Sequence, residues 1–522
     1  MLSKALFIIL SSTSWAIFLR REFLMEIFVS AILGELASRS INFFISKSSK
    51  PKVLDMEQGL QRALLRAQLI INEATGRHIT NPAMLQQVDM LRDAMHHGCY
   101  VLDTFRYQSH SEENGKDQAV SHSLSLSSKV IFLKGIYSSN RNTLLLQQLE
   151  DALDNLSSMI LDMKELVVFL MSYPHMYQQP YNMHLLLGNC MFSRQIETEL
   201  VVNFLLDTQH RYHGSEELEV LPIVGPAKVG KSTLVAHVCK NERVQDHFSK
   251  ILFLRDQDFT DGDLAKLREG CAMKHQNCIS NSNKDKGWLV IVDLLGDLNG
   301  DAWNVLYSSC KQLMPITSKI VIANRSAKIT EFGTTRALHM KYLSLEASWY
   351  FFKTIAFGSM DPNKMHPRFA QVAMEIAKLL DRGLIGVNII ACLLRDNFDI
   401  RFWCKVLDFL RRLVQKYVSK FGVHPTVLMY QNKPVHIGRM TNPFEDLVLY
   451  REYQRFSHEE VPKIRVDDVV YGSVEALGKS EFLAWDSRIP PYYSYVFTCE
   501  VRELKHRAAK RKRSTENGIT LC

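Results

Sequence analysis

Residues 224–233, VGPAKVGKST, constrain this chain more than any other stretch of it. They follow the pattern Gly, four residues, Gly, Lys, Ser/Thr, with Gly225, Gly230, Lys231 and Ser232 in the required places. The run before them, LEVLPIV at 218–224, is apolar and of strand length, and LVAHVC at 234–239 reads as the buried face of a helix. Strand, glycine turn and helix therefore come in the order of a phosphate-binding loop, which argues against a glycine turn that binds nothing. In such a loop the backbone of Gly225, Pro226, Ala227, Lys228, Val229, Gly230, Lys231, Ser232 and Thr233 curls so that N–H groups close round phosphate oxygens, and the helix N-terminus adds partial positive charge. Lys231 is expected to reach the terminal phosphates, and the Ser232 hydroxyl a Mg2+ ion.

Three further short apolar runs follow, KILFLR at 250–255, WLVIVD at 288–293 and SKIVIANR at 318–325, separated by helix-length segments. Continuous apolar runs of this kind suit a parallel sheet covered on both faces. The expected fold is an α/β P-loop nucleotide-binding domain over 190–335, preceded by an α-helical bundle and followed by helical and small strand-containing regions. Asp293 ends its run, where a carboxylate can sit beside the phosphate loop and hold Mg2+ directly or through water.

Upstream, apolar positions recur at helical spacing through Leu60, Leu64, Leu65 and Ile70, then Leu91, Ala94 and Leu102. A second helical segment carries Leu146, Leu149, Leu153, Leu156, Ile160, Met163, Val167 and Leu170 three and four apart, a stripe that either seals a helix onto its own domain or supports self-association. Residues 25–175 thus read as a helical, coiled-coil-type domain, with the polar, Ser-rich stretch 108–128 as a loop inside it. Residues 1–24 read as an apolar extension ahead of a second start at Met25, with a membrane role only if they are retained.

With 46% hydrophobic and 23% charged residues the composition is that of an ordinary soluble globular protein. The net charge of +8 is unevenly placed, because residues 501–513 hold seven Lys/Arg against one Glu. The ten cysteines form no CxxC pair, and Cys271, His275 and Cys278 do not have a usual zinc spacing, so reduced thiols in the cytoplasm or nucleus are expected.

Taken in order, these segments resemble the plant NB-ARC disease-resistance proteins of the coiled-coil class, in particular the short grass type lacking leucine-rich repeats. The resemblance runs from Met25 to about residue 410. It is carried by GPAKVGKST, by LRDAMHHGCYVLDTFRYQ at 91–108, by NCMFSRQIETELVVNFLL at 189–206, by the three later strand runs, and by LHMKYLSLEASWYFF at 338–352. It implies a switch that holds ADP at rest and exchanges it for ATP, with the helical N-terminal domain binding protein partners. It also makes Arg325 a sensor of the phosphates, against the plainer reading of a surface Arg that ends a buried strand.

The departures from the family bear on hydrolysis. Leu294 stands where the family has a second acidic residue, and leucine offers no acceptor to an attacking water; Asp297 could substitute only if the next turn folds back. Ala323 and Asn324 replace common hydroxyl residues, and Gly383, Leu384, Ile385 and Gly386 replace GLPL, losing a proline on the adenine side. No Met-His-Asp motif and no leucine-rich array follow. Residues 336–422 read as a helical ARC-like region, 423–500 as a small α+β region and 501–522 as a basic tail. Stacking of nucleic-acid bases on Tyr492, Tyr493 and Tyr495 is weaker than burial of these rings in a local core. The function expected is an adenine-nucleotide (ADP/ATP) binding switch or adaptor in plant defence with weak or no hydrolysis; the alternatives are a Mg2+-dependent ATPase and a basic-tailed nucleic-acid binder.

Overall fold

A computed structural model describes residues 53–118, 128–173, 191–207, 217–255, 286–294, 296, 298–358, 360, 367–381, 383–442, 444–455, 460–472, 474, 478–487, 489 and 492–503. The readings placed on residues 1–52, on Cys271, His275 and Cys278, on Asp297 and on 504–522 lie outside the described residues. The chain divides between Ile400 and Arg401 into two compact units, inside the stretch 336–422 that was expected to form one helical region.

The first unit opens with helices α1 (Val53–Thr75), α2 (Pro82–Gln118), α3 (Ser128–Asp162) and α4 (Lys164–Leu170). Their shared core takes in Leu60, Leu64, Ile70, Leu91, Ala94 and Leu102. Leu65, grouped with them by spacing, is instead 63% exposed, because it lies about 100° round the helix from Leu64. The leucine stripe is broken between α3 and α4, and its Leu149, Leu156, Ile160, Met163, Val167 and Leu170 are buried in this same core. The stripe therefore seals its own bundle. The Ser-rich stretch is a correction: helix α2 continues to Gln118 and α3 starts at Ser128, so the loop expected at 108–128 is helical over its first part. Glu112, Glu113, Lys116 and Gln118 are good helix formers, and they outweigh the serines there.

Next come α5 (Gln195–Leu206), β1 (Glu219–Val224), α6 (Lys231–Cys239), α7 (Glu242–His247), β2 (Lys250–Arg255), β3 (Trp288–Asp293), α8 (Gly300–Leu313), β4 (Lys319–Asn324) and β5 (Leu338–His339). The five strands are parallel, in the order β2-β3-β4-β1-β5. Alternate side chains serve opposite faces. Leu221, Ile223, Leu289, Ile291 and Val321 pack with Val201, Val202, Leu234 and Val235 of α5 and α6. Val220, Val290, Val292, Ile320 and Ile322 pack with Trp303 and Leu306 of α8. Both faces are covered, which is why the strands read as unbroken apolar runs. Register pairs Val224 with Asn324 and Asp293 with Ala323, so the C-terminal ends of β1, β3 and β4 lie side by side, where α/β sheets bind their ligands.

Helices α9 (Leu345–Phe357), α10 (Pro367–Leu379) and α11 (Leu384–Asp396) complete the unit, with α9 packed on α2. At that contact Asp103, 2% exposed, accepts from Trp349 Nε1 at 2.9 Å and from Lys353 Nζ at 2.8 Å. Burial alone would pull the Lys353 ammonium down; the Asp103 carboxylate outweighs it and holds it above its ordinary value. Nearby, His96 packs against Phe192 and, tilted, against Tyr350, at centroid distances of 5.5 and 4.9 Å, and its Nδ1 is buried without a hydrogen-bond partner.

The second unit holds α12 (Ile400–Phe421), α13 (Pro425–Tyr430), α14 (Val466–Val470) and an antiparallel sheet of β6 (Val435–His436), β7 (Glu445–Arg455), β8 (Gly478–Asp486) and β9 (Ser494–Glu503) in the order β6-β7-β9-β8. Within the region expected to be α+β, residues 424–440 are strand only at Val435–His436; the start is helical, with His424 capping and Pro425 in the first turn, where a missing N–H costs nothing. Tyr493 and Tyr495 are 4% and 6% exposed, so they serve the local core, while Tyr492 is 46% exposed.

Two outcomes follow from the α2 contact. Asp103→Ala strands the Lys353 ammonium, which keeps some access to solvent, so a loss of about 2–4 kcal/mol is expected in chemical denaturation. For His96, burial, with Arg92 adding, pulls the pKa from 6.5 to about 3. The unfolded chain takes up that proton below about pH 6.5 and the folded chain does not, so this contribution to stability is complete above pH 6.5 and is lost as pH falls from there toward 3. The denaturation midpoint should fall with acidity across that range, and less steeply in His96→Phe.

Candidate functional site

The loop between β1 and α6 has the backbone that its glycines and lysines dictate. Gly225 lies against Met340, the residue after β5, where a Cβ would stand 2.6 Å from the Met340 carbonyl, so no side chain fits. Gly230 caps α6 at φ +99°, a left-handed conformation that glycine adopts without strain. Lys228 is left-handed too, at φ +59°, which costs an ordinary residue free energy that the surroundings must offset. Val229 anchors the loop from below, 1% exposed in the core under α6.

Lys231 is 8% exposed, and its ammonium donates to the Gly225 carbonyl at 2.7 Å and the Pro226 carbonyl at 2.8 Å. Burial pulls its pKa down to about 8, with Asp293 acting upward and Arg325 downward. Residues 293 and 325 therefore both act on the lysine that the loop is built around, although 62 and 94 residues separate them from it. Asp293 ends β3, Arg325 follows β4 and is exposed, and Ser232 and Thr233 lie half-buried in the first turn of α6. Pro226 is exposed and Ala227 half-buried at the crest of the loop.

The donor set fits a phosphate group with a divalent cation: a buried ammonium, a helix N-terminus, a hydroxyl at Ser232 and a carboxylate at Asp293. No cluster of three or more metal-binding side chains occurs among the described residues, so a cation here would take its remaining ligands from phosphate and water.

Leu294 is a core residue: it is 6% exposed, it belongs to the buried cluster that also holds Leu298, Trp303 and Ile329, and its N–H donates to the Ala323 carbonyl at 3.2 Å. Asn324 is 1% exposed and donates to the carbonyls of Leu294 and Gly296 at 3.2 and 2.7 Å, stapling the turn after β3 to the end of β4. A hydroxyl residue there could not make both bonds. Gly383 starts α11 without the missing proline, and Leu384, Ile385 and Gly386 are half-buried.

Tyr342 was missed in the sequence. Its hydroxyl donates to the Ala227 carbonyl at 2.7 Å, and nothing in the segment 338–352 singles it out.

No protein-family model matches the chain. Among curated proteins it is similar to disease resistance protein RGA2 of Solanum bulbocastanum, 26% identical over 223 residues, or 40% of this chain and 22% of that protein. A disease resistance RPP13-like protein of Arabidopsis thaliana is 22% identical over 438 residues, 80% of this chain and 40% of its own length. Disease resistance protein RGA4 of Solanum bulbocastanum is 25% identical over 236 residues, 42% of this chain and 23% of that protein. The similarity is to plant disease-resistance proteins. The chain spans less than half the length of each of these relatives. Among solved structures, that of Drosophila ORC bound to DNA aligns with 52% of this chain and 84% of its own at a TM-score of 0.28 and 11% identity, a level at which neither fold nor function transfers.

Gly225→Ala tests the loop's packing. The added carbon forces β1 and β5 apart at Met340, and a loss of about 1–3 kcal/mol in denaturant titration is the expected outcome.

Proposed function

We propose that the chain is an adenine-nucleotide switch or adaptor in plant defence, of the coiled-coil class without leucine-rich repeats, which holds ADP or ATP and hydrolyses ATP slowly or not at all. The observation that carries this is the loop itself: Lys231 buried beneath Gly225 and Pro226, with Asp293 and Arg325 acting on the same ammonium. In this reading the N–H groups from Ala227 to Thr233 take the phosphates. Lys231 trades its carbonyl partners for phosphate oxygens, Ser232 and Asp293 hold Mg2+, and Arg325 reports the charge of the bound nucleotide. The similarity to disease-resistance proteins supports the place in defence.

Slow turnover is part of the proposal. Leu294 lies in the core and supplies no acceptor for the proton of an attacking water, an assistance typically worth about 10²–10⁴-fold. Replacing Leu294 by Asp, the repair that the sequence suggests, would bury a carboxylate among Leu298, Trp303 and Ile329, so it is a poor test of hydrolysis. Protein partners are assigned to the helical N-terminal domain; the leucine stripe is spent on that domain's own core, so self-association would use another surface. No helix among the described residues is long and apolar enough to cross a membrane. The six described cysteines form no disulfide, and a cytoplasmic or nuclear location is part of the proposal.

The purified chain should carry bound ADP, identified by chromatography of the acid-released nucleotide. Lys231→Ala should lower ADP affinity at least 100-fold in calorimetric titration while the nucleotide-free protein keeps its helical circular dichroism. ADP affinity unchanged in that variant, or ATP hydrolysis near one per second in the natural chain, sinks the holding-switch assignment.

A further inference from the structure

Each carbonyl at the start of the phosphate loop is held by a partner. Those of Gly225 and Pro226 accept from Lys231, and that of Ala227 accepts from the Tyr342 hydroxyl at 2.7 Å. In a trans peptide the C=O and the following N–H point to opposite sides of the chain, so fixing the Ala227 carbonyl on Tyr342 turns the Lys228 N–H away from Tyr342. Pro226 has no N–H to offer, which leaves the Ala227–Lys228 peptide among the first in the loop able to donate to an anion.

That peptide is under strain. A flip of the Ala227–Lys228 peptide changes φ of Lys228, now +59°, and would let a non-glycine residue leave the left-handed region. Something must oppose the flip, and the hydroxyl of Tyr342 is bonded to the atom that would have to move. The tyrosine is itself well fixed. On one side Met340 N–H donates to the Val224 carbonyl at 2.8 Å, Arg194 donates to the Lys341 carbonyl at 2.5 Å, and on the other side Ser344 caps α9 through the Ala347 N–H at 3.1 Å. Its ring packs against the core under α6. Burial, with Asp381 adding and Arg325 opposing, raises the Tyr342 pKa, so the hydroxyl keeps its proton and remains a donor.

We infer that Tyr342 is a positioning residue of the phosphate loop: by donating to the Ala227 carbonyl it holds the Ala227–Lys228 peptide in the orientation that offers the Lys228 N–H to a nucleotide's phosphates. The inference rests on the nucleotide reading above and adds to it the residue that sets the loop's shape from outside the loop. Tyr342 touches backbone alone and takes no part in bond making.

Tyr342→Phe removes the hydroxyl and keeps the ring. Binding of ADP and of adenosine to the full chain, measured by calorimetric titration, separates the outcomes, because adenosine has no phosphate for the loop to hold. The expected result is a loss of about 5–10-fold in ADP affinity, the worth of one hydrogen bond, with adenosine affinity unchanged and the unfolding temperature of the nucleotide-free chain lowered by no more than about 4 °C. ADP affinity within twofold of the natural chain overturns the inference, as does an equal loss for ADP and adenosine, which would assign the hydroxyl to general packing. If Lys231→Ala abolishes ADP binding while Tyr342→Phe does not weaken it, the nucleotide site stands and only the role of Tyr342 falls. If the natural chain binds no ADP, both fall.

Discussion

A lysine ammonium buried under a glycine turn organises the C-terminal edge of the parallel sheet. Lys231 needs hydrogen-bond partners because it is only 8% exposed, and it finds them in two carbonyls of its own loop. Those bonds close the loop on itself, and the closure requires the left-handed turn at Gly230 and the bare Cα at Gly225. The sheet order then brings Asp293 and Arg325 to the same place.

From this loop a continuous series of contacts reaches the helical bundle. Tyr342 joins the loop to the segment that leads into α9, and α9 carries Trp349 and Lys353 to the buried Asp103 on α2. Gln195, at the start of α5, accepts from Arg92 of α2 at 2.8 Å and donates to the Ala74 carbonyl at 3.3 Å, giving the bundle a second attachment. The bundle is thus held by desolvated polar groups as well as by apolar packing. Such contacts have strict geometry, so a bundle attached in this way has a defined docked position.

Much of the nucleotide-type domain was legible because burial on both faces leaves a plain trace. KILFLR and WLVIVD coincide with β2 and β3 residue for residue, and the glycine pattern marks the turn. Asp293 stands out in the sequence because a carboxylate at the end of an apolar strand is out of keeping with its neighbours, and the fold sets its charge to act on Lys231. One local error has a local cause: helix formers among the serines extend α2. What the sequence could not disclose are contacts between distant segments. Tyr342 meets Ala227 across 115 residues and Asp103 meets Lys353 across 250, and neither residue type is unusual where it stands. Leu294 shows the same limit. Its identity suggested a missing acid, while only the fold reveals that its side chain belongs to the core beneath α8.

That burial has a consequence for timing. A switch that cleaves its ligand leaves the on-state by a chemical clock, whereas one that only holds its ligand leaves by dissociation. For the holding switch proposed above, with Leu294 committed to packing and Asn324 stapling the turn beside it, the lifetime of the bound state would be a residence time. On that proposal loop stiffness becomes the trait on which selection can act, because substitutions that loosen the loop would shorten the bound state without touching any reacting atom.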